Sequence, residues 1–250
     1  MSAALLPIDW PGLPESVRVA STTRLGGVSA APYAQLNLGD HVGDVAERVA
    51  ENRQRLIGLA GLPAAPAWLR QVHGTRVLRL HAGSAAGQEA DACWTDQPEV
   101  VCAVLTADCL PVLLADARGH CVAAAHAGWR GLVHGVLEAT VAALPAPASA
   151  LTAWLGPAIG PTRFQVGAEV RDAFLTANAA DAVHFRPDGE RWHADLFALA
   201  RARLRRFGIA RIHGGDHCTV SDPLRFHSHR RDGVGGRMAS LIWIQGAQGV

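Results

Sequence analysis

The 250-residue chain contains no lysine: all 23 of its basic side chains are arginine. That absence excludes a P-loop lysine, a Schiff-base lysine and a lysine general base, and several enzyme classes with them. Methionine is nearly missing as well, with only Met1 and Met238 to offer a soft axial ligand to copper. No segment reaches about 18 uninterrupted apolar residues, the length a membrane helix needs. The opening MSAALLPIDWPGLPESV has neither a basic start nor a long apolar stretch, so nothing marks the chain for export or membrane insertion. The five cysteines (Cys93, Cys102, Cys109, Cys121 and Cys218) are odd in number and form no Cys-X-X-Cys pair. A disulfide framework is not expected, and a reducing, cytoplasmic location is. A net charge of +1 and a pI near 7.8 give no electrostatic reason for nucleic acid or an anionic membrane as partner. The expected partner is a small molecule.

What is present is apolar. At 49% hydrophobic content the chain can bury a sizeable core, and a single domain over residues 1–250 is expected. VRVASTTR (17–24) alternates like a strand and runs into LGGVS, a potential anion-binding turn. In DVAERVAENRQRLIGLAG (44–61), Asp44 and Glu47 form a capping-box pattern, Val45, Val49, Leu56 and Leu59 recur at helical spacing, and Gly61 suits the C-cap. Strands are predicted at 67–72 and 75–80, with His73-Gly74 as the tight turn between them. VVCAVLTA, PVLLAD and HCVAAAHA read as three strands of a central sheet buried on both faces. Cys102 and Cys121, inside such runs, read as small buried residues. Helices are predicted at 132–144 and 194–208. The second carries the stripe Leu196, Leu199, Leu204 and Phe207, ends at Gly208 and has a solvated basic face. WLGPAIGP and RRDGVGGRM are punctuation, and MASLIWI is a closing strand.

Polar residues collect at the ends of these runs. His73 lies at a turn, Cys109 at a strand boundary after Asp108, and His126 at the exit of an alanine-rich strand, so a sheet can converge all three. Two imidazoles and a thiolate suit zinc, and three protein ligands leave a position for water or substrate. The residues alone favour the bland reading of two satisfied core histidines and an inert thiol, and the neighbouring arginines shift the balance. Arg130, four residues after His126, and Arg24, beside LGGVS, offer forked donors to an anion. FHSHRRDG places His227, His229, Arg230 and Arg231 on a polar turn.

The segments TTRLGGVS, LNLGDHVGD, QVHGTRV, ADACWTD, TADCLPVLLAD, AAAHAGWRGLVHGV, WLGPAIGP, FQVG and SHRRDGVGGRMASLIWI together resemble the laccase-domain family, also called the polyphenol oxidoreductase or purine nucleoside phosphorylase family. The resemblance spans nearly the whole chain, in the family's order. It implies a single-domain, layered α/β sandwich with a mixed central sheet, and zinc held by His73, Cys109 and His126. It also implies phosphorolysis of adenosine, inosine, guanosine or methylthioadenosine, with deamination of adenosine. For these reactions Asp108 and Asp91 are candidate proton shuttles. Arg24 and Arg130, then His229, are candidate phosphate holders, and Arg231 is a further substrate-binding candidate.

Three other readings compete. Multicopper phenol oxidation needs several copper centres and many His-X-His pairs, and the chain has one such pair, His227-Ser228-His229; copper can still substitute at the trio. A cysteine hydrolase would use Cys109 as nucleophile with His73 or His126 as base. A non-catalytic binding protein on the same fold is the fourth.

Overall fold

The computed structural model describes residues 3–246, so Met1 lies outside the described residues. Strand β1 (Val17–Ser21) leads to helix α1 (Ala46–Ala60), then to β2 (Val77–Arg79), β3 (Ala92–Thr95), β4 (Val101–Thr106), β5 (Leu110–Asp116) and β6 (Val122–Ala127). Helices α2 (Trp129–His134) and α3 (Val136–Ala143) precede β7 (Leu151–Leu155), β8 (Gln165–Val166) and α4 (Ala168–Ala177). The order closes with β9 (Phe185–Asp188), β10 (Arg191–Ala194), α5 (Leu196–Arg206), β11 (Arg211–Gly214), α6 (His229–Asp232) and β12 (Met238–Ile244).

Strict side-chain alternation builds layers from these strands. Val112 and Leu114 of β5, with Ala123 and Ala125 of β6, face the core formed with α2 to α5, whereas Leu113, Ala115, Val122 and Ala124 face a second sheet. The central sheet is mixed and six-stranded, in the order β11-β7-β5-β6-β3-β2, with β11 parallel to β7 and β2 parallel to β3. The second sheet, β1-β12-β4, is antiparallel. Its own alternation sends Cys102 and Val104 toward the central sheet and Val101, Ala103 and Leu105 toward the core that contains Leu56 of α1. The result is one α/β domain layered as helix, sheet, sheet, helices, as the resemblance implies. Among the described residues no helix is long and apolar enough to cross a membrane.

Several local expectations give way to tertiary context. VVCAVLTA does not join the central sheet: β4 lies in the second one, because an apolar run buried on both faces fits either layer. Residues 67–72 form no strand and no hairpin; Arg70 makes a single bridge to Glu89, and β2 pairs with β3 instead. The 132–144 helix starts earlier, at Trp129, and is interrupted at Gly135 (φ +96°). Asp44 does not cap α1: its Oδ2 accepts from Ser29 and Asn37, and the helix begins without a side-chain cap. Gly61 does take the left-handed C-cap. On α5, Phe207 is exposed, and the basic face is not simply solvated, since Arg203 is buried and paired with Glu138 and Asp181. The cysteines of the runs, Cys102 and Cys121, are buried as expected.

Candidate metal centre

The C-terminal end of β6 delivers His126, 3% exposed, on the face shared with Val122 and Ala124. Across the ladder Pro111 pairs with His126 and Leu110 with Ala127, so Cys109, just before β5, lies diagonally across from His126 on the same face. His73 arrives from the loop before β2 in a left-handed turn (φ +62°). One donor atom from each residue lies within 4.8 Å of the others, and Cys109 Sγ is 3.7 Å from His73 Nε2.

Asp91, fully buried, ties two of these ligands together. Its Oδ1 accepts from His126 Nδ1 (2.8 Å) and the His73 amide (2.9 Å), while its Oδ2 accepts from the amides of Val72 (3.2 Å) and Gly74 (2.6 Å). The left-handed His73 lets three successive N–H groups converge on one carboxylate, a nest geometry. A carboxylate held below its usual range can only accept, so His126 Nδ1 carries a proton for it, and Nε2, turned toward Cys109 and His73, is the nitrogen that an ion would bind in place of a proton. Burial alone would raise Cys109, but the two imidazoles hold its thiol down at about 6. Burial alone would lower His126, but the Cys109 thiolate and Asp91 push it up.

The convergence depends on two glycines. A Cβ on Gly128 would sit 2.8 Å from the His73 ring and 3.0 Å from Cys109 Sγ. A Cβ on Gly131 would meet the Gly74 carbonyl at 2.9 Å, so bare backbone there lets α2 pack on the turn that carries His73. The spacing in HAGWRG thus follows from the crowding between these elements.

The donor set fits zinc. Tetrahedral nitrogen and sulfur ligands at about 2.0–2.3 Å from the ion stand roughly 3.5 Å apart, close to the His73–Cys109 separation. Two imidazole nitrogens and one thiolate leave a further position for a reacting oxygen. Among the described residues this is the one His/Cys/Asp/Glu group with such geometry.

The other site candidates surround the trio unequally. Asp108, left-handed at φ +85° and buried, accepts from the Thr219 hydroxyl and the Arg230 amide, each at 2.6 Å. His229 donates Nδ1–H to the Gly233 carbonyl (2.6 Å), leaving Nε2 as its free nitrogen, and lines the same cleft as Cys109. Arg130 is exposed, with its guanidinium 4.4 Å over the ring of Trp129, which lines the cleft with Cys109. Arg24 reaches the carbonyls of Ala34 and Pro223. Arg231 spends its N–H donors on Asp232 and on the carbonyls of Thr219, Val220 and Phe226, leaving none for a substrate. Sequence reasoning missed Arg237. It is partly buried and bonded through Nη1 to the carbonyls of Gly235 and Gly236, within electrostatic reach of Cys109 and Asp108. Its one signal was an arginine inside a glycine-rich turn with no acidic residue beside it.

Fold and site together define a mixed α/β protein with a three-donor candidate metal centre at the mouth of a cleft. The chain belongs to the family described as "Multi-copper polyphenol oxidoreductase laccase", whose sequence model matches residues 18–245. It is 50% identical over 244 residues to purine nucleoside phosphorylase YfiH of Escherichia coli strain K12, covering 98% of this chain and all of that protein. It is 52% identical over 247 residues to purine nucleoside phosphorylase PA4543 of Pseudomonas aeruginosa, again covering 98% of this chain and all of that one. Among solved structures, protein NMB0706 of Neisseria meningitidis superposes with a TM-score of 0.93 at 48% identity, covering 97% of this chain and all of that one. YlmD of Geobacillus stearothermophilus does so with 0.90 at 28% identity, covering 97% of each.

Proposed function

We propose that the chain is a zinc-dependent purine nucleoside phosphorylase. It would convert adenosine, inosine, guanosine and methylthioadenosine to free base and ribose 1-phosphate, and deaminate adenosine at the same centre. The observation that carries this reading is the convergence of His73, Cys109 and His126 beside a cleft, in a chain about half identical to proteins named purine nucleoside phosphorylases. Zinc at the trio would supply a Lewis acid for an oxygen of water or phosphate.

The protein's own groups take the remaining tasks. Arg130 and Arg24 orient the phosphate dianion, through the forked donors that suit it. His229, its orientation fixed by the Nδ1–H bond to the Gly233 carbonyl, offers its free Nε2 to take the proton that the phosphate gives up and to pass it to the departing base. Asp108 and Asp91, whose oxygens already accept hydrogen bonds, act by positioning: Asp91 orients the ligands, and Asp108 docks α6 and so His229.

Chain purified without added metal should carry about one zinc per molecule and release base from adenosine only with phosphate. A chelator should abolish that release and zinc should restore it. No base released from any of the four nucleosides, or release indifferent to chelation, would overturn the reading. Copper with phenol oxidation would favour the oxidase the family's name describes. Activity lost to thiol alkylation but not to chelation would favour a Cys109 hydrolase.

A further inference from the structure

The loop over 159–164 lines two cavities. Ile159 and Phe164 belong to the cleft of the metal centre, whereas Pro161 and Thr162 wall a separate cavity of about 230 Å³ that shares no residue with that cleft. In the β9–β10 hairpin Ala194 pairs with Phe185, and both face the core. Alternation turns the next pair, His193 and Arg186, to the opposite face, where they line this cavity together with His184 on the other side of Phe185. Among the described residues neither the Arg186 guanidinium nor the His184 ring has a hydrogen-bond or ion-pair partner. His193 Nδ1 stands 3.5 Å from Asp188 Oδ2, which already accepts from Gln165 Nε2 (2.7 Å), so His193 Nε2 is turned away from Asp188 and unpaired. The one carboxylate in the cavity wall, Asp195, has Oδ1 committed to the Ala198 amide as the N-cap of α5.

We propose that this cavity is an anion site for a phosphoryl group, separate from the metal centre, with Arg186, His184 and His193 as its donors. Like charges directly opposite each other in a hairpin repel, so the Arg186–His193 pair is at its best when an anion lies between the two side chains. The donors are too dispersed for a metal ion: among the described residues only His73, Cys109 and His126 converge closely enough to hold one. Dispersed donors around a space smaller than the roughly 300 Å³ of ordinary ligand pockets suit a compact oxyanion instead, because its several oxygens can each take a different donor. The guanidinium fork of Arg186 takes two oxygens side by side, and the imidazoles take the others. The chemistry is shared by inorganic phosphate and by a phosphate monoester whose organic part reaches out over the exposed Val183. The site goes beyond the nucleoside reading above and stands or falls without it.

Titration of the zinc-loaded protein with inorganic phosphate, and separately with ribose 5-phosphate, tests this through the imidazole C–H signals in NMR spectra. Ionic strength is held constant and the pH kept at about 6.5, where an imidazole can take up a proton along with the anion. The signals of His184 and His193 are assigned by their disappearance in His184→Gln and His193→Gln. Both should shift in a saturable way with one shared dissociation constant. Arg186→Gln, at an exposed side chain, removes charge-assisted hydrogen bonds and should raise that constant about ten- to a hundredfold with zinc content unchanged. His184→Gln, read on the His193 signal, should raise it too and tests the site independently of Arg186. Tighter binding of ribose 5-phosphate would make a monoester the ligand, and equal binding the free ion. Signals that stay put, that drift without saturating, or that saturate with the same constant in Arg186→Gln would overturn the site.

Discussion

Replacing Asp91 by asparagine swaps one acceptor oxygen for an NH2 group at the point where four N–H donors converge. The amide can be placed two ways, and each is damaging. With its NH2 toward His73 and His126, the His126 Nδ1–H loses its acceptor and the ring is free to turn Nε2 away from Cys109. With its NH2 toward Val72 and Gly74, the His126 bond survives but the left-handed turn carrying His73 loosens. Either way two hydrogen bonds to a buried carboxylate are lost, each worth about 1.5–3 kcal/mol, so a stability loss of roughly 3 kcal/mol or more is expected. Loss of a partner that orients a metal ligand also costs about ten- to a hundredfold in metal affinity. Zinc affinity by competition with a chromophoric chelator, alongside urea midpoints of the metal-free protein, reads the two effects separately. Unchanged zinc affinity in a folded Asp91→Asn protein would refute the argument that one carboxylate organises both histidine ligands.

Gly128→Ala should abolish zinc binding with the fold retained, because the added methyl occupies space held by His73 and Cys109; the measure is metal content against circular dichroism. Removing zinc from the wild type should lower the thermal midpoint, and zinc at a hundred times its dissociation constant should restore about 2.7 kcal/mol, as followed by melts across a zinc titration. His227 supplies the pH test. It is fully buried, with no hydrogen-bond partner on either ring nitrogen, and burial together with Arg24 and Arg237 pushes it down to about 3. A depressed folded value means the unfolded chain binds the proton first. The stabilisation is therefore complete above pH 6.5 and lost as pH falls toward 3, by about 2 kcal/mol at pH 5. Urea midpoints from pH 7 to 4 should fall less steeply in His227→Phe than in the wild type, and parallel slopes would contradict the prediction.

β1 is legible from its alternation, and β4, β5, β6 and β12 are legible as short uninterrupted apolar runs bounded by turn residues, the mark of strands buried on both faces. Which sheet a strand joins is not, since Val101–Thr106 would satisfy either layer. The trio is legible as residues at element ends, and the family resemblance selects it over the bland reading of two satisfied core histidines and an inert thiol. The supporting residues are hidden for a different reason. Gly128 matters because of His73, 55 positions away, and Asp91 because four donors from two segments meet at it. Arg203 reads as part of a solvated face until Glu138 and Asp181 are folded against it. Propensity and period describe a residue's own element, whereas these roles come from other elements.

That distinction explains how an alanine-rich strand delivers a candidate metal ligand. Ala123, Ala124 and Ala125 present only methyl groups, so the second sheet on one side and α3 on the other both pack closely on β6, and its register is fixed by β3 and β5 together. Parity then decides the chemistry: His126 shares a face with Ala124, and a slip of one residue would turn its ring toward the helices, away from Cys109. Continued past its last pair, the β5–β6 ladder sets Cys109 opposite Gly128, the residue whose missing Cβ admits His73. The site is the sheet's own register carried one step beyond its edge. A one-residue insertion within Val122–Ala125 should therefore cost metal binding even in variants that still fold, whereas the same insertion in the turn at Arg118-Gly119 should not.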